Sequence, residues 1–308
     1  MYERLVKTFN ELKVRYEIIF VNDNSPDNQE EVIDVLCEKD PNVTGISHSR
    51  NFGSQSAFLG GMEIATGDAV VLMDGDLQDP PEIIPQFYDK WIEGNDVVYG
   101  VRVQREMKPW LHVFYKLFYK LFQKMSYIPI PRDAGDFSLI DRKVVKELVA
   151  LPETEQFLRG LRAWVGFKQT GVPYVRPERM FGVSTNNWRK NIGWARKAIF
   201  SFSFTPLEMM SYAGFLLTGA SMLGIIWQIL AKFVFFPDTP RGMSTVIILI
   251  VFFGGLTILG ISFLGEYISK IFEETKKRPK FIRTRIRAGQ RIYHSADAIR
   301  ELVEKRKK

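Results

Sequence analysis

The stretch Asp74-Gly75-Asp76-Leu77-Gln78-Asp79-Pro80-Pro81 sets two carboxylates two residues apart, directly after the apolar run Ala69-Val70-Val71-Leu72-Met73. In a turn that closes a strand, Asp74 and Asp76 can converge on one hard cation, and Gln78 can add a carbonyl oxygen. Oxygen ligands suit Mg²⁺ or Mn²⁺, which also takes phosphate oxygens from a substrate. The paired prolines keep the chain from entering a helix too early. Asp and Pro are also ordinary turn formers, so a polar loop without metal is the competing reading.

Three further groups could share that cleft. Asp23, in Val21-Asn22-Asp23-Asn24-Ser25, closes an earlier apolar run. Its carboxylate suits a nucleobase or a ribose hydroxyl, or else an Asx-turn or helix N-cap. Arg50-Asn51-Phe52-Gly53 offers a guanidinium beside a glycine turn, fit for a phosphate or sugar neighbour or for a plain surface turn. Asp136, in Asp133-Ala134-Gly135-Asp136-Phe137-Ser138, precedes Leu139-Ile140. That order predicts a place at the start of a strand, facing the cleft in an acceptor-binding or base role, with a turn as the alternative.

The elements that must position these groups alternate. Tyr16–Val21, Val43–Ile46, Ala69–Met73 and Asp96–Gly100 read as strands. Helices are expected over Met1–Leu12, around Val32, Ile33, Val35 and Leu36, and over Ala57–Ala65 with Gly67 as C-cap. Alternation with apolar strands predicts an α/β domain with a doubly wound, mostly parallel Rossmann-like sheet, which binds ligands at the carboxyl ends of its strands. The first recognisable element is a helix, so the sheet reads as beginning with its second strand.

Composition frames this. The chain has 308 residues, 46% hydrophobic and 25% charged, with net charge +7. That excludes collagen-like and acidic disordered classes. A single cysteine, Cys37, excludes a disulfide scaffold or a cysteine metal cluster and agrees with a reducing compartment. The mean hydropathy of −0.08 hides a segregation. No charged residue occurs from Met209 to Ala231 or from Gly242 to Gly265. Each run exceeds the roughly 20 residues of a membrane-crossing helix. With the Lys232–Arg241 break between them they read as a transmembrane hairpin, the alternative being two buried helices of a soluble core. Lys and Arg concentrate before the first run and after the second, which places both termini and the catalytic domain in the cytoplasm, on a multi-pass protein of the inner (plasma) membrane. Met1–Leu12 is a charged amphipathic stretch unlike a secretory leader.

Lys108–Met125 carries Trp110, Phe114, Leu117, Phe118 and Leu121 on one side and Lys116, Lys120 and Lys124 on another. It and Trp188–Phe204 read as interfacial helices, or as helices packed on the sheet with a solvated lysine stripe. The expected organisation is residues 1–186 catalytic, 187–206 juxtamembrane, 207–268 hairpin and 269–308 a basic cytoplasmic tail. The pI near 9.3 raises nucleic acid as a partner. The charges cluster beside a membrane segment, so anionic headgroups are the expected partner and nucleic acid is not. Glycines 214, 219, 224, 254 and 255 permit close helix approach, which suggests a homo-oligomer.

Taken in order, these motifs resemble the membrane-anchored family 2 glycosyltransferases of the polyisoprenyl-phosphate group, which includes dolichol-phosphate mannose synthases. Val21–Ser25 resembles the family's nucleotide-binding turn, and Ser49–Gly53 its Arg-Asn-Phe-Gly segment. Asp74–Pro81 resembles its metal motif, and Asp133–Phe137 its Gly-Asp-Phe segment. Arg179, Gly182 and Ser184 fall on its Arg-x-x-Gly-x-Ser stretch. The family's first strand, with its Pro-x-Tyr-Asn-Glu motif, has no counterpart, and Thr185-Asn186 stands where Lys-Tyr is frequent.

The resemblance implies a GT-A fold and an inverting transfer of a hexose from a nucleotide sugar to a polyprenyl phosphate. Asp74, Asp76 and Gln78 would hold Mg²⁺ or Mn²⁺. Asp23, Arg50, Asp74 and Asp79 would hold the nucleotide sugar. Arg176, Arg179 and Ser184 would take the acceptor phosphate, and Asp136, with Asp76, would be catalytic. UDP-glucose is the favoured donor among UDP-N-acetylglucosamine, a UDP-aminosugar and GDP-mannose, and undecaprenyl is favoured over dolichyl phosphate. A processive polysaccharide synthase would need more spans and a Gln-x-x-Arg-Trp motif. A catalytically silent membrane scaffold would not need Asp74, Asp76 and Asp136.

Overall fold

A computed structural model describes residues 1–102, 134–154, 156–176, 205–230 and 243–307. The chain divides into two compact units. One draws on Met1–Tyr119, Ile128–Asn186 and Lys277–Lys308, the other on Lys120–Tyr127 and Asn187–Lys276.

Among the described residues, the first unit holds eight strands and most of the helices. Helix α1 (Tyr2–Leu12) turns Leu5, Phe9 and Leu12 to the core and stops at Lys13, which takes the left-handed conformation at φ 55°. Strand β1 (Ile18–Asn22), helix α2 (Gln29–Lys39), strand β2 (Val43–His48) and helix α3 (Ser54–Ile64) follow. Helix α3 ends at Ala65 in extended conformation, ahead of the glycine expected to cap it. Glu17 takes over, accepting the Thr66 N–H at 2.5 Å and the Gly67 N–H at 3.2 Å. This bond ties the start of β1 to the start of strand β3 (Ala69–Leu72). Then come a single 3-10 turn (Pro81–Ile83), helix α4 (Ile84–Ile92) and strand β4 (Val97–Arg102). Strand β5 (Ala134–Asp141), helices α5 (Arg142–Ala150) and α6 (Leu158–Trp164), and strand β6 (Gln169–Tyr174) complete this part.

The expected strands are present, but their pairing corrects the mostly parallel sheet. Two four-stranded mixed sheets form, in the orders β3-β5-β4-β6 and β1-β2-β7-β8, where β7 is Arg283–Ala288 and β8 Arg291–Tyr293. Among the described residues only β1 with β2 and β4 with β6 run parallel. Apolar runs mark strands but carry no direction, and connections set it. Strand β5 lies between β3 and β4 and pairs antiparallel with both.

The C-terminal segment differs most from expectation. Residues 283–288, read as part of a separate basic tail, add to the sheet antiparallel to β2, and helix α9 (Ala296–Lys307) packs Ile299 and Val303 against Ile46, Ile64 and Ile286. The arginines of β7 meet acidic side chains of α2 and α3. Arg285 bonds Glu30 at 2.8 Å and Asp34 at 2.6 Å, Arg287 bonds Glu38 at 2.5 Å, and Arg283 bonds Glu63 at 2.8 Å. Period-2 arginines on a strand face Glu30, Asp34 and Glu38, which stand four apart on one helix face.

Among the described residues, β1 pairs only with β2, and β3 only with β5. Their other edges line a cavity of about 830 Å³ that also takes in Phe58, Met62, Tyr88 and Trp91. The apolar residues of both strands are therefore largely half-buried, where a sheet closed on both faces would bury them.

In the second unit, helix α7 (Thr205–Leu230) precedes helix α8 (Met243–Thr275). A Cβ on Gly260 would stand 3.7 Å from Met210 Cε, so the first turns of α7 lie beside the second half of α8. Among the described residues one stretch, Phe252–Thr275, is long and apolar enough to cross a membrane, with a mean hydropathy of 1.4 and no part of its window buried. The expected interfacial stretches Lys108–Met125 and Trp188–Phe204, and the turn between the two apolar runs, lie outside the described residues.

Candidate active site

Two loops at strand ends build the site. After β3 the chain turns through Asp74 and Gly75, and Leu77 adopts φ 60°, a conformation that reverses the chain tightly. Asp76 Oδ1 accepts the Gln78 N–H at 3.1 Å, an Asx-turn that fixes the loop. Asp74 is pushed up to about 6, first by burial and then by the negative charges of Asp79, Asp136 and Asp76, with Arg176 opposing. Arg176 Nη2 stands 4.0 Å from Asp74 Oδ2. The fold thus gathers the carboxylates that the sequence separates by as many as 62 positions, and brings Arg176 beside them. Among the described residues no three His, Cys, Asp or Glu side chains form a closed metal cage.

Asp79, expected against the nucleotide sugar, is buried. It accepts the Tyr174 O–H at 2.6 Å, and Tyr174 Oη in turn accepts Arg102 Nε–H at 3.3 Å. Burial, with the Asp79 bond, pushes the Tyr174 phenol up to about 12. Asp79 therefore ties the acidic loop to β6 from below and does not reach out of the site.

Asp136 is the third residue of β5, near the start of the strand as expected. Its Oδ2 accepts the Gln55 amide at 3.0 Å, and its Oδ1 is 3.3 Å from Arg159 Nε. Gln55 Oε1 accepts the Leu158 N–H at 3.0 Å, so one glutamine fixes both Asp136 and the start of α6. Beneath them Arg162, fully buried, gives Nη1–H to Ser138 Oγ at 2.5 Å and Nη2–H to the Gly135 carbonyl at 3.0 Å. Burial lowers its pKa to about 10, which leaves the guanidinium charged at neutral pH.

Asp23 follows β1, where Asn22 Oδ1 accepts the Ser25 N–H at 2.9 Å and Asn24 takes φ 59°. Its carboxylate accepts the Phe52 N–H at 3.0 Å and the Gly53 N–H at 2.6 Å. His48 Nδ1 lies 2.8 Å from Oδ1. Arg50 is exposed and lies over the Phe52 ring at 4.1 Å. Asp23 thus organises the Arg50–Gly53 loop. Arg179 and Ser184 lie outside the described residues.

Sequence reading passed over Gln55, His48, Arg159, Arg162 and Tyr174. A trace of Arg159 was there: Gln156-Phe157-Leu158-Arg159 has the Gln-x-x-Arg spacing, with Gly160 where the sought motif has Trp. The others carry no local signal.

Residues 2–149 match the family model for glycosyl transferase family 2. An uncharacterized glycosyltransferase of Bacillus subtilis, YkcC, is 42% identical over 91% of this chain and 87% of its own length. The bactoprenol glucosyl transferase of Shigella phage SfX is 40% identical over 92% of this chain and 93% of its own length. A prophage bactoprenol glucosyl transferase homolog of Escherichia coli is 39% identical over 93% of this chain and 94% of its own length. With an acidic strand-end site and relatives alike along almost its whole length, the chain belongs to glycosyltransferase family 2.

Proposed function

We propose that this protein transfers glucose from UDP-glucose to a polyprenyl phosphate, undecaprenyl phosphate, at the cytoplasmic face of a membrane, with inversion at the anomeric carbon. The observation that carries the reading is the convergence of Asp74, Asp76 and Asp136 with Arg176 and Arg159 at the ends of β3 and β5, in a chain 40% identical to bactoprenol glucosyl transferases.

In this reading a phosphate oxygen of the acceptor attacks the anomeric carbon, and the bond to the β-phosphate oxygen breaks. The nucleoside diphosphate leaves with the electron pair. The like charges gathered around Asp74 would suit a divalent cation. Asp74, Asp76 and the Gln78 carbonyl would hold Mg²⁺ or Mn²⁺ there, supplying neutralisation of the leaving diphosphate. Arg176 adds a cation on the same side. Arg50 and the loop that Asp23 braces receive the nucleotide. Asp136 is held by Gln55 and Arg159 in one orientation, and an acceptor phosphate is already ionised at neutral pH. Its role is therefore to position the acceptor rather than to remove a proton. Arg179 and Ser184 belong to the acceptor side of this proposal.

The apolar helices α7 and α8 form the membrane hairpin. A Cβ on any of Gly214, Gly219, Gly224, Gly254 and Gly255 would meet nothing within 4 Å, which leaves room for a second copy to approach. Transfer of labelled glucose from UDP-glucose to undecaprenyl phosphate, read as a lipid-linked monosaccharide, tests the reading.

A further inference from the structure

His48 closes β2 with its side chain wholly buried. Burial lowers its pKa from the ordinary imidazole value. The ring is therefore neutral at pH 7, and the nitrogen facing the Asp23 carboxylate at 2.8 Å, Nδ1, is the one that carries the proton. Among the described residues the other nitrogen, Nε2, is buried without a hydrogen-bond partner. It packs against bare backbone, since a Cβ on Gly60 would stand 3.1 Å away. An orphaned buried polar atom costs about 1–3 kcal/mol. A phenylalanine would fill the same space without that penalty. What an imidazole does here that a phenylalanine cannot is donate to Asp23.

The ring is also clamped from the C-terminal segment. Phe281 stacks on it with centroids 5.1 Å apart and planes at 12°, while Phe52 meets it edge-on at 5.8 Å. The Ser49 N–H bonds the Ile282 carbonyl at 3.0 Å. Arg283 lies over Phe281 at 4.6 Å and gives a hydrogen bond to the Gly60 carbonyl at 2.9 Å. Segment 281–283 thus fixes His48, His48 fixes Asp23, and Asp23 fixes the backbone of Phe52 and Gly53.

We infer that His48 is a positioning residue for donor binding. Pinned by Phe281, it aims Asp23 at the Phe52 and Gly53 amides and so presets the Arg50–Gly53 loop for the nucleotide. The inference rests on the proposed placing of the nucleotide at that loop. A loop already braced loses less freedom when the ligand binds, so the effect falls on donor affinity rather than on the chemical step.

The test uses the full chain in detergent, with UDP and UDP-glucose titrated by calorimetry and with donor KM, acceptor KM and kcat measured. His48→Phe keeps the stack and loses the donor; it is expected to weaken UDP binding about tenfold and to raise donor KM alike, with kcat and acceptor KM within about threefold of wild type. His48→Asn restores an N–H toward Asp23 and is expected to recover most of that loss. Phe281→Leu is expected to raise donor KM in the same direction. The inference is overturned if folded His48→Phe binds UDP as wild type does, if His48→Asn and His48→Phe are equally impaired, or if acceptor KM moves as much as donor KM. Should His48→Phe fail to fold, Phe281→Leu decides: an unchanged donor KM overturns the inference and a raised one supports it. Wild-type protein that binds neither UDP nor UDP-glucose would remove the functional proposal itself. Variants that bind as well as a binding wild type would remove only the role of His48.

Discussion

Asp136 Oδ1 lies 3.3 Å from Arg159 Nε, a pairing between the third residue of strand β5 and the second residue of helix α6. The pair sits beside the Asp74 carboxylate, whose pKa Asp136 helps to raise. Arg159 thus holds Asp136 and, in the proposed reaction, adds a positive charge on the side of the acceptor phosphate.

Replacing Arg159 by Ala is therefore expected to lower kcat/KM for polyprenyl phosphate by about tenfold to a hundredfold. Arg159→Lys keeps the charge but not the fork and should fall between. Donor KM should change little in both. Steady-state kinetics with each substrate varied in turn checks this, and a donor KM that rises with the acceptor KM would place Arg159 elsewhere in the site.

Asp74 gives a pH dependence with a definite sign. Its folded-state pKa is raised to about 6 from an ordinary value near 3.8. The folded protein therefore holds this proton more tightly than the unfolded chain, and for this group stability without metal rises as pH falls through about 6. A cation competes with the same proton. Apparent Mg²⁺ or Mn²⁺ affinity should thus fall by up to about tenfold per unit below pH 6, and the thermal stabilisation by Mn²⁺ should shrink between pH 7 and pH 5. Melting curves with and without Mn²⁺ at both pH values measure this.

Tyr174→Phe removes the O–H that Asp79 accepts at 2.6 Å and leaves a buried carboxylate short of a partner. Unfolding free energy should drop by about 1–3 kcal/mol. Because Asp79 braces the acidic loop and does not face the ligand, metal affinity should fall far less than in Asp76→Ala. Urea unfolding and Mn²⁺ titration together separate the two effects.

The arginines of β7 make the C-terminal strand sensitive to salt and to substitution. Arg285 reaches both Glu30 and Asp34 from a partly buried position. Removing it as Arg285→Ala should cost about 1–2 kcal/mol and speed amide exchange in β2 and β7. Raising the salt to about 1 M should narrow the difference from wild type, because it screens the remaining exposed pairs. Hydrogen exchange that is unchanged in β7 would show that strand pairing alone secures the segment.

The reach of the sequence was uneven for physical reasons. Strands β1, β3 and β4 are legible because their apolar runs are nearly continuous, β2 only weakly because Thr44 and Gly45 interrupt it, and Asp74 and Asp76 are legible because they follow one of these runs. Partners far apart in the chain left no such trace. Gln55 serves Asp136 from 81 positions away, and Tyr174 serves Asp79 from 95. The arginines of β7 were visible as charge and were taken for a headgroup-binding tail. Read singly, Arg283, Arg285 and Arg287 are a basic run; read at period 2, Arg285 and Arg287 are one face of a strand awaiting the acids of α2. Strand direction was the other loss, since nothing in Ala134–Asp141 tells that it runs against both its neighbours.

The proposed activity is a cation-dependent, single-sugar transfer to a lipid phosphate, centred on Asp76. The most direct measurement incubates the purified full chain with labelled UDP-glucose, undecaprenyl phosphate and Mg²⁺ and resolves the organic-phase products, beside the same reaction with chelator and with Asp76→Ala. One glucose per lipid is expected, abolished by chelator and reduced at least a hundredfold in Asp76→Ala. Polymeric product, full activity of Asp76→Ala, or no lipid-linked sugar from any nucleotide donor would contradict it.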